Sequence, residues 1–218
     1  MTYPPSGFLT EGIGNDPPRS VADLRWAGSQ WTVWDSWTAP YTATMQPDQA
    51  ALAETFRKDA CACLNKYLPR MVHCLESLSE DDIWWRPNAA SNSAGNIVLH
   101  LCGNLRQWII AGVGGAPDTR NRPLEFSERN PIPKEELVRR LDQTALEVDR
   151  ILARVSDDRL LKIRRIQGFE ETVLSAIFDT LAHFSGHTQE IVYITRLLLG
   201  DRYRYAWVPA TVEQGAPA

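Results

Sequence analysis

The sequence predicts an all-α protein, a helix bundle carried behind an irregular N-terminal extension. Three observations lead there. From residue 47 onward apolar residues recur at three- and four-residue steps over four long stretches, the period of helices that bury one face. Two of those stretches, 91–113 and 172–200, are apolar almost all round and so belong at the centre of the packing. Polar connections separate the four, the pattern of a bundle occupying residues 47–205 with a short tail at 206–218.

Residues 1 to about 46 stand apart. Pro4, Pro5, Pro17, Pro18 and Pro40 punctuate them, and WAGSQWTVWDSWTAPY (26–41) packs four tryptophans without helical or strand periodicity. This reads as an irregular arm whose rings clamp it onto the domain or onto a second subunit. A rival expectation starts the natural chain at Met45, just before QPDQAALAETF.

The first helix spans 47–78, with Leu52, Phe56, Cys63, Tyr67, Met71 and Leu75 on helical steps and Pro69 as a kink or as the first turn of a second helix. In SEDDIWWRP (79–87), Ser79 and Asp82 have capping-box spacing and Pro87 closes the turn. Trp84 and Trp85 there read as packing residues rather than substrate platforms. The stretch 91–113 opens on capping residues and runs to the glycines at 112, 114 and 115. A polar loop, GGAPDTRNRPLEFSERN (114–130), precedes an amphipathic helix over 132–155, with Pro133 in its first turn and Leu137, Leu141, Val148 and Leu152 on one face. RLLKIRRIQGFEET (159–172) is ambiguous and allows a short extended excursion. The last helix ends at Gly200, a good C-terminal cap.

Charge and length narrow the function. A net charge of -4 without runs of like charge leaves no footprint for nucleic acid and no basic patch for a membrane, so the expected partners are small molecules or protein. No basic start followed by an apolar stretch opens the chain, and no apolar run reaches the roughly 18 residues of a membrane span, so a cytoplasmic location is expected. Cys61, Cys63, Cys74 and Cys102 fit neither a disulfide scaffold nor a zinc motif and read as reduced, buried thiols.

The chemistry concentrates in LAHFSGHTQEIV (181–192). His183 and His187 stand one turn apart on one face, and Asp179 and Glu190 extend a polar stripe along a helix otherwise made of Leu, Phe, Ile and Val. No glutamate follows His183, so this is not the zinc-protease arrangement. The helix over 91–113 carries a matching stripe: Asn96, His100, Gly103 or Asn104, and Gln107. Three neutral imidazoles from two facing helices, with a position left open, suit catalytic zinc and accept nickel or iron(II). His73, beside the proline kink and without a polar stripe, is the weaker rival for third ligand. The bland alternative is that these histidines are hydrogen-bonded core residues.

LSEDDIWWRPNAASNSAGNIVLHLCGNLRQWIIAGVGGAPDTRNRPLEF (78–126), followed by HFSGHTQEIVYIT (183–195), resembles the DinB-like superfamily of four-helix metalloproteins. Within it the closest patterns are those of the branch with WWRPN, NSxGNxxLHLxGNxRQWI, DxRxRxxEF and HFxxHTGQI. The superfamily includes bacillithiol transferases and mycothiol-dependent maleylpyruvate isomerases. The resemblance covers about residues 50–205 and leaves the arm unexplained. It implies an up-down-down-up bundle, often dimeric, holding a divalent metal (zinc or nickel first, iron or manganese also acceptable) on His100, His183 and His187. One departure stands out: where relatives have HTGQI, this chain has His187, Thr188, Gln189, Glu190 and Ile191, a carboxylate in place of an amide.

By that analogy the expected activity is a metal-dependent S-transfer or detoxification reaction, in which a low-molecular-weight thiol made nucleophilic at the metal attacks a small electrophile. Glu190 and Glu125 are the expected catalytic carboxylates; Arg120, Arg122, Asn104 and Gln107 are expected to bind substrate, the two arginines forking onto a carboxylate or phosphate. Alternatively Arg120, Arg122 and Glu125 form a salt-bridged loop anchor. Two rival functions stay open at this point: a metal-dependent hydrolase with Glu190 or Glu125 as base, and a non-enzymatic, metal-stabilised dimeric stress or binding module.

Overall fold

In the computed structural model the described residues are 24–27, 30–33, 48–129 and 131–206. The chain divides into two units, Met1–Gln46 and Pro47–Ala218. Within the first, strands β1 (Leu24–Ala27) and β2 (Gln30–Val33) pair antiparallel, with Ala27 opposite Gln30 and Leu24 opposite Val33. This ladder stands inside the stretch expected to be irregular. Strands of four residues are too short for alternation to show, and the glycine at 28 between them was the one hairpin signal available. The remainder of the arm, the expected start at Met45 and the tail from residue 207 lie outside the described residues.

The second unit is mostly helical. Its long elements are α1 (Gln49–Ser77), α3 (Ala94–Leu105), α5 (Lys134–Leu152) and α7 (Val173–Leu199). Shorter helices α2 (Glu80–Trp84), α4 (Arg122–Ser127) and α6 (Asp157–Leu160) lie between them. Both α1 and α3 pack against α5 and against α7. Phe184, Leu64, Met71, Leu101, Leu105 and Leu141 are all under 2% exposed, and each large side chain so buried contributes roughly 1.5–3 kcal/mol. Among the described residues no helix is long and apolar enough to cross a membrane.

Helix α1 runs unbroken through Pro69. Its buried stripe is Ala53, Ala60, Leu64, Met71, Cys74 and Leu75, so the expected face was partly wrong: Leu52 is 62% exposed, and Phe56, Cys63 and Tyr67 lie at the edge of the core. Small alanines hid the true face from a pattern read on large residues. The Ser79–Asp82 capping box of α2 forms as spaced, Asp82 N–H donating to Ser79 Oγ and Ser79 N–H to the Asp82 carboxylate. All four cysteines are free; Cys74 and Cys102 are buried, Cys61 and Cys63 half-buried. Burial pushes the Cys61 and Cys102 thiols up to about 11, which keeps both protonated.

Two features depart from the expected helix and loop pattern. Helix α3 passes into a π-helical segment, Arg106–Val113, whose wider turns end at Gly114. The polar loop contains α4, a helix of six residues with Pro123 in its first turn, too short for a periodic pattern. The ambiguous stretch forms a hairpin, β3 (Ile163–Ile166) with β4 (Phe169–Thr172), placing Arg164 opposite Glu171 and Arg165 opposite Glu170. Gln167 and Gly168 both take positive φ at its turn, the conformation a two-residue hairpin requires. Gln167 is kept there by the Trp108 indole N–H, which donates to its Oε1 at 3.1 Å.

Candidate metal centre

Ser93 caps α3, its hydroxyl accepting from Asn96 N–H while Ser93 Oγ–H donates to Asn96 Oδ1. Asn96 is fully buried, and its side-chain amide donates to the Glu125 carbonyl at 2.8 Å. Arg86 donates to the same Asn96 Oδ1 and to the Glu128 carbonyl. The start of α3 thereby grips the backbone of α4. One turn further along α3 comes His100, 5% exposed, and the grip sets the Glu125 side chain against it.

His100 meets two histidines of α7. Its Nε2 lies 2.9 Å from His183 Nε2, and one ligand nitrogen from each of His100, His183 and His187 falls within 4.8 Å of the others. The rings stand nearly perpendicular, at 79–87° with centroids 4.5–5.2 Å apart. His183 and His187 are half-buried. His100 is thus the buried member of the cluster, and the two α7 histidines are its partly exposed members.

Two of the three outer nitrogens are assigned by their partners. His100 Nδ1–H donates to Glu125 Oε2 at 3.0 Å, and His187 Nδ1–H donates to Glu190 Oε2 at 2.7 Å. Arg120 Nη2 also lies 3.1 Å from His100 Nδ1, but two donors cannot bond each other; the contact follows from both bonding Glu125 Oε2. With Nδ1 protonated, the Nε2 lone pairs of His100 and His187 are directed elsewhere, which is the tautomer of a metal ligand.

Electrostatics keeps His100 and His183 neutral. Burial, then the neighbouring His187 and His100, push His183 down to about 4. Burial likewise lowers His100, with the Glu125 carboxylate only partly offsetting it. At pH 7 His100 and His183 are therefore neutral, each with a nitrogen lone pair to offer, as a divalent ion requires. Two lone pairs facing each other at 2.9 Å repel unless one nitrogen carries hydrogen or a cation lies between them; nitrogens sharing one ion through bonds of about 2.0–2.1 Å stand roughly 2.9–3.4 Å apart. The donor set fits a divalent metal.

Glu125 is itself locked. Its side chain is 9% exposed, and Arg120 grips it with Nε donating to Oε1 at 2.7 Å and Nη2 to Oε2 at 2.8 Å. Burial would raise this carboxyl, but the hydrogen bonds from Arg120 and His100 outweigh it and hold it below the ordinary carboxylate range. Arg120 Nη1 donates to Gln107 Oε1, and Gln107 Nε2 to Asp118, so the loop is tied back to the end of α3.

The structure thus brings His100, His183, His187, Glu125 and Glu190 together. It places Arg120 and Gln107 in the network behind Glu125, the arrangement of a loop anchor. Arg122 is exposed, its guanidinium 4.9 Å over the Phe126 ring, and that ring stands 4.8 Å from His100. Asn104, one turn beyond His100, has a buried Oδ1 without a partner, and so does Thr180 Oγ, one turn before His183. Asp179 is exposed and outside the ligand cluster. His73 bonds the Arg204 carbonyl through Nε2 at 2.7 Å and is likewise outside it. Residue-level reading missed the structural parts of Asn96 and Gly103. A Cβ on Gly103 would overlap Glu125 Oε1 and lie 2.7 Å from its Cδ; the available signal was a glycine in mid-helix, which costs about 1 kcal/mol against alanine and so calls for a reason.

A family model described as a protein of unknown function (DUF1572) matches residues 52–212, a span that takes in all three histidines, Glu125 and Glu190. No curated protein matches the chain.

Proposed function

We propose, for a chain that belongs to the DUF1572 family and thereby to the DinB-like group, that the three histidines hold a divalent metal and serve a thiol S-transfer reaction on a small electrophile. The observation that carries the reading is the convergence of three imidazoles, one buried and two partly exposed, with burial holding His100 and His183 neutral. In this reading the long helices form an up-down-down-up bundle of the WWRPN branch, working as a homodimer, with zinc or nickel as the first candidates and iron or manganese as further ones. What the ion supplies when bound is acidity, lowering the pKa of a thiol beside it towards neutrality.

The chain's own groups do the rest. Glu190, its side chain 46% exposed, can take the thiol proton or pass it to water. The sulfur lone pair forms the new C–S bond, and the leaving group departs with the electron pair of its bond to carbon. Arg122, free of any carboxylate partner in its described contacts, can meet a carboxylate or phosphate of the thiol or acceptor. Asn104 Oδ1 offers an unused acceptor to an N–H or O–H of the same molecule.

Metal analysis of the purified protein beside His100→Ala and His187→Ala tests the site: stoichiometric metal in the wild type and loss in both variants is expected, and full occupancy in both variants overturns it. Metal-loaded protein is then given an electrophile with and without thiol. Consumption that needs thiol supports transfer; turnover without thiol replaces it with hydrolysis. No turnover under either condition, with a large fall in thermal midpoint on chelation, replaces both with a structural metal.

A further inference from the structure

Glu125 has the chemistry of a general base and the surroundings of a fixed part. Both of its oxygens are occupied, Oε1 by Arg120 Nε and Oε2 by Arg120 Nη2 and His100 Nδ1–H. Its backbone carbonyl is held by Asn96. A base must change partners during turnover, and this carboxylate would have to break a buried bidentate ion pair to do so.

The space it fills is made by one residue. Gly103, on the same helix as His100 and three residues further on, lacks the Cβ that would overlap Glu125 Oε1 and press on Arg120 Nε at 3.1 Å. An ordinary carboxylate at a surface would swing away from an added methyl. Here the side chain is caught between arginine, histidine and helix, so a methyl at 103 must push it out of register with His100 Nδ1.

We infer that Glu125 is a positioning residue for the metal ligand His100 and takes no proton from substrate, and that the absent side chain at Gly103 and the fork of Arg120 are what hold it in place. The inference rests on the metal-binding reading above and deepens it. It divides labour between the two carboxylates of the site: Glu125, buried, fixes ligand geometry, and Glu190 is left as the carboxylate exposed to solvent. It also couples the loop to the metal, because Asp118, Gln107 and Arg120 form one chain of hydrogen bonds that ends on His100.

The test is zinc affinity of the full-length chain, measured by competition with a chromophoric chelator, for the wild type, Glu125→Gln, Gly103→Ala and Glu190→Gln. The thermal midpoint of each metal-free protein and the visible spectrum of each cobalt-loaded protein are recorded alongside. Residues that orient a ligand histidine typically cost roughly 10–100-fold in metal affinity when lost, and that loss is expected for Glu125→Gln and for Gly103→Ala, which removes no polar group at all. Glu190→Gln is expected within about threefold of wild type, as for an exposed pair. Altered cobalt spectra in the first two variants would place the change at the ligands rather than in folding. A wild type that binds no zinc overturns the metal reading and this inference with it. A wild type that binds zinc while Glu125→Gln and Gly103→Ala match its affinity and spectrum overturns the inference alone. So does an affinity loss that tracks the metal-free midpoint equally across all three variants.

Discussion

Glu125 and Glu190 each accept a hydrogen bond from the Nδ1–H of one cluster histidine, at 3.0 and 2.7 Å, yet they are held by opposite means. Glu190 lies three residues after His187 on α7, so the helix alone brings the pair together, and its side chain is 46% exposed. Glu125 lies 25 residues from His100 and reaches it only because α4 is pinned by Asn96 and the carboxylate is gripped by Arg120; its side chain is 9% exposed. The shorter bond is the weaker constraint. Water competes freely for Glu190 and only at a narrow exposed edge for Glu125, so burial rather than distance decides which carboxylate fixes its histidine.

That contrast can be broken most forcefully at Arg120. Arg120→Ala strands the Glu125 carboxylate in a buried site, and unpairing a buried charge costs about 3–5 kcal/mol; urea denaturation of the metal-free protein should show a loss of that size. A loss no larger than that of Glu190→Gln would mean the two pairs are equivalent after all.

A smaller effect belongs to the third histidine, which has no carboxylate. His183 titrates near 4 in the folded chain, well below the ordinary 6.5 that it recovers on unfolding. Below 6.5 the unfolded chain binds a proton that the folded one refuses, so the stability is fully present above pH 6.5 and is lost as pH falls towards 4. On the order of 2 kcal/mol should disappear across that window in metal-free protein. Thermal midpoints measured between pH 7 and 4 would reveal it, and His183→Gln should flatten the profile; an unchanged slope in that variant would remove His183 as the cause.

The smallest expected effect sharpens the contrast from the other side. Glu190→Gln should change metal-free stability by under about 1 kcal/mol, with the difference shrinking further in 0.5 M salt. A larger, salt-insensitive loss by the same urea assay would show that Glu190 is a fixed part too.

How much of this could be read from residues alone depended on how far each feature reaches along the chain. The histidines of α7 were legible because i, i+4 spacing is local and a polar stripe on an apolar helix demands partners. His100 followed from a matching stripe on α3, and the helical character of the long elements followed from period and caps. The face of α1 was misread because Ala53 and Ala60 carry little hydrophobic signal, and α4 and both hairpins were too short to show a period. Gly103 stood in the stripe without a reason, because the reason is a carboxylate 22 positions later in a loop whose path no local pattern fixes. Arg120 and Arg122 look alike in sequence, and only packing separates the buried side chain from the exposed one.

The π-helical segment after α3 bears on how the helix that carries His100 meets the rest of the core. An α-helix turns about 100° per residue, and π-helical turns take up extra residues, so the angular phase of everything after residue 105 is reset relative to His100. Trp108 is thereby aimed at the hairpin turn, and Ile109 and Val113 at the core. Removing one residue between 106 and 113 would rotate one set against the other, whereas a side-chain change on either side leaves the second in phase.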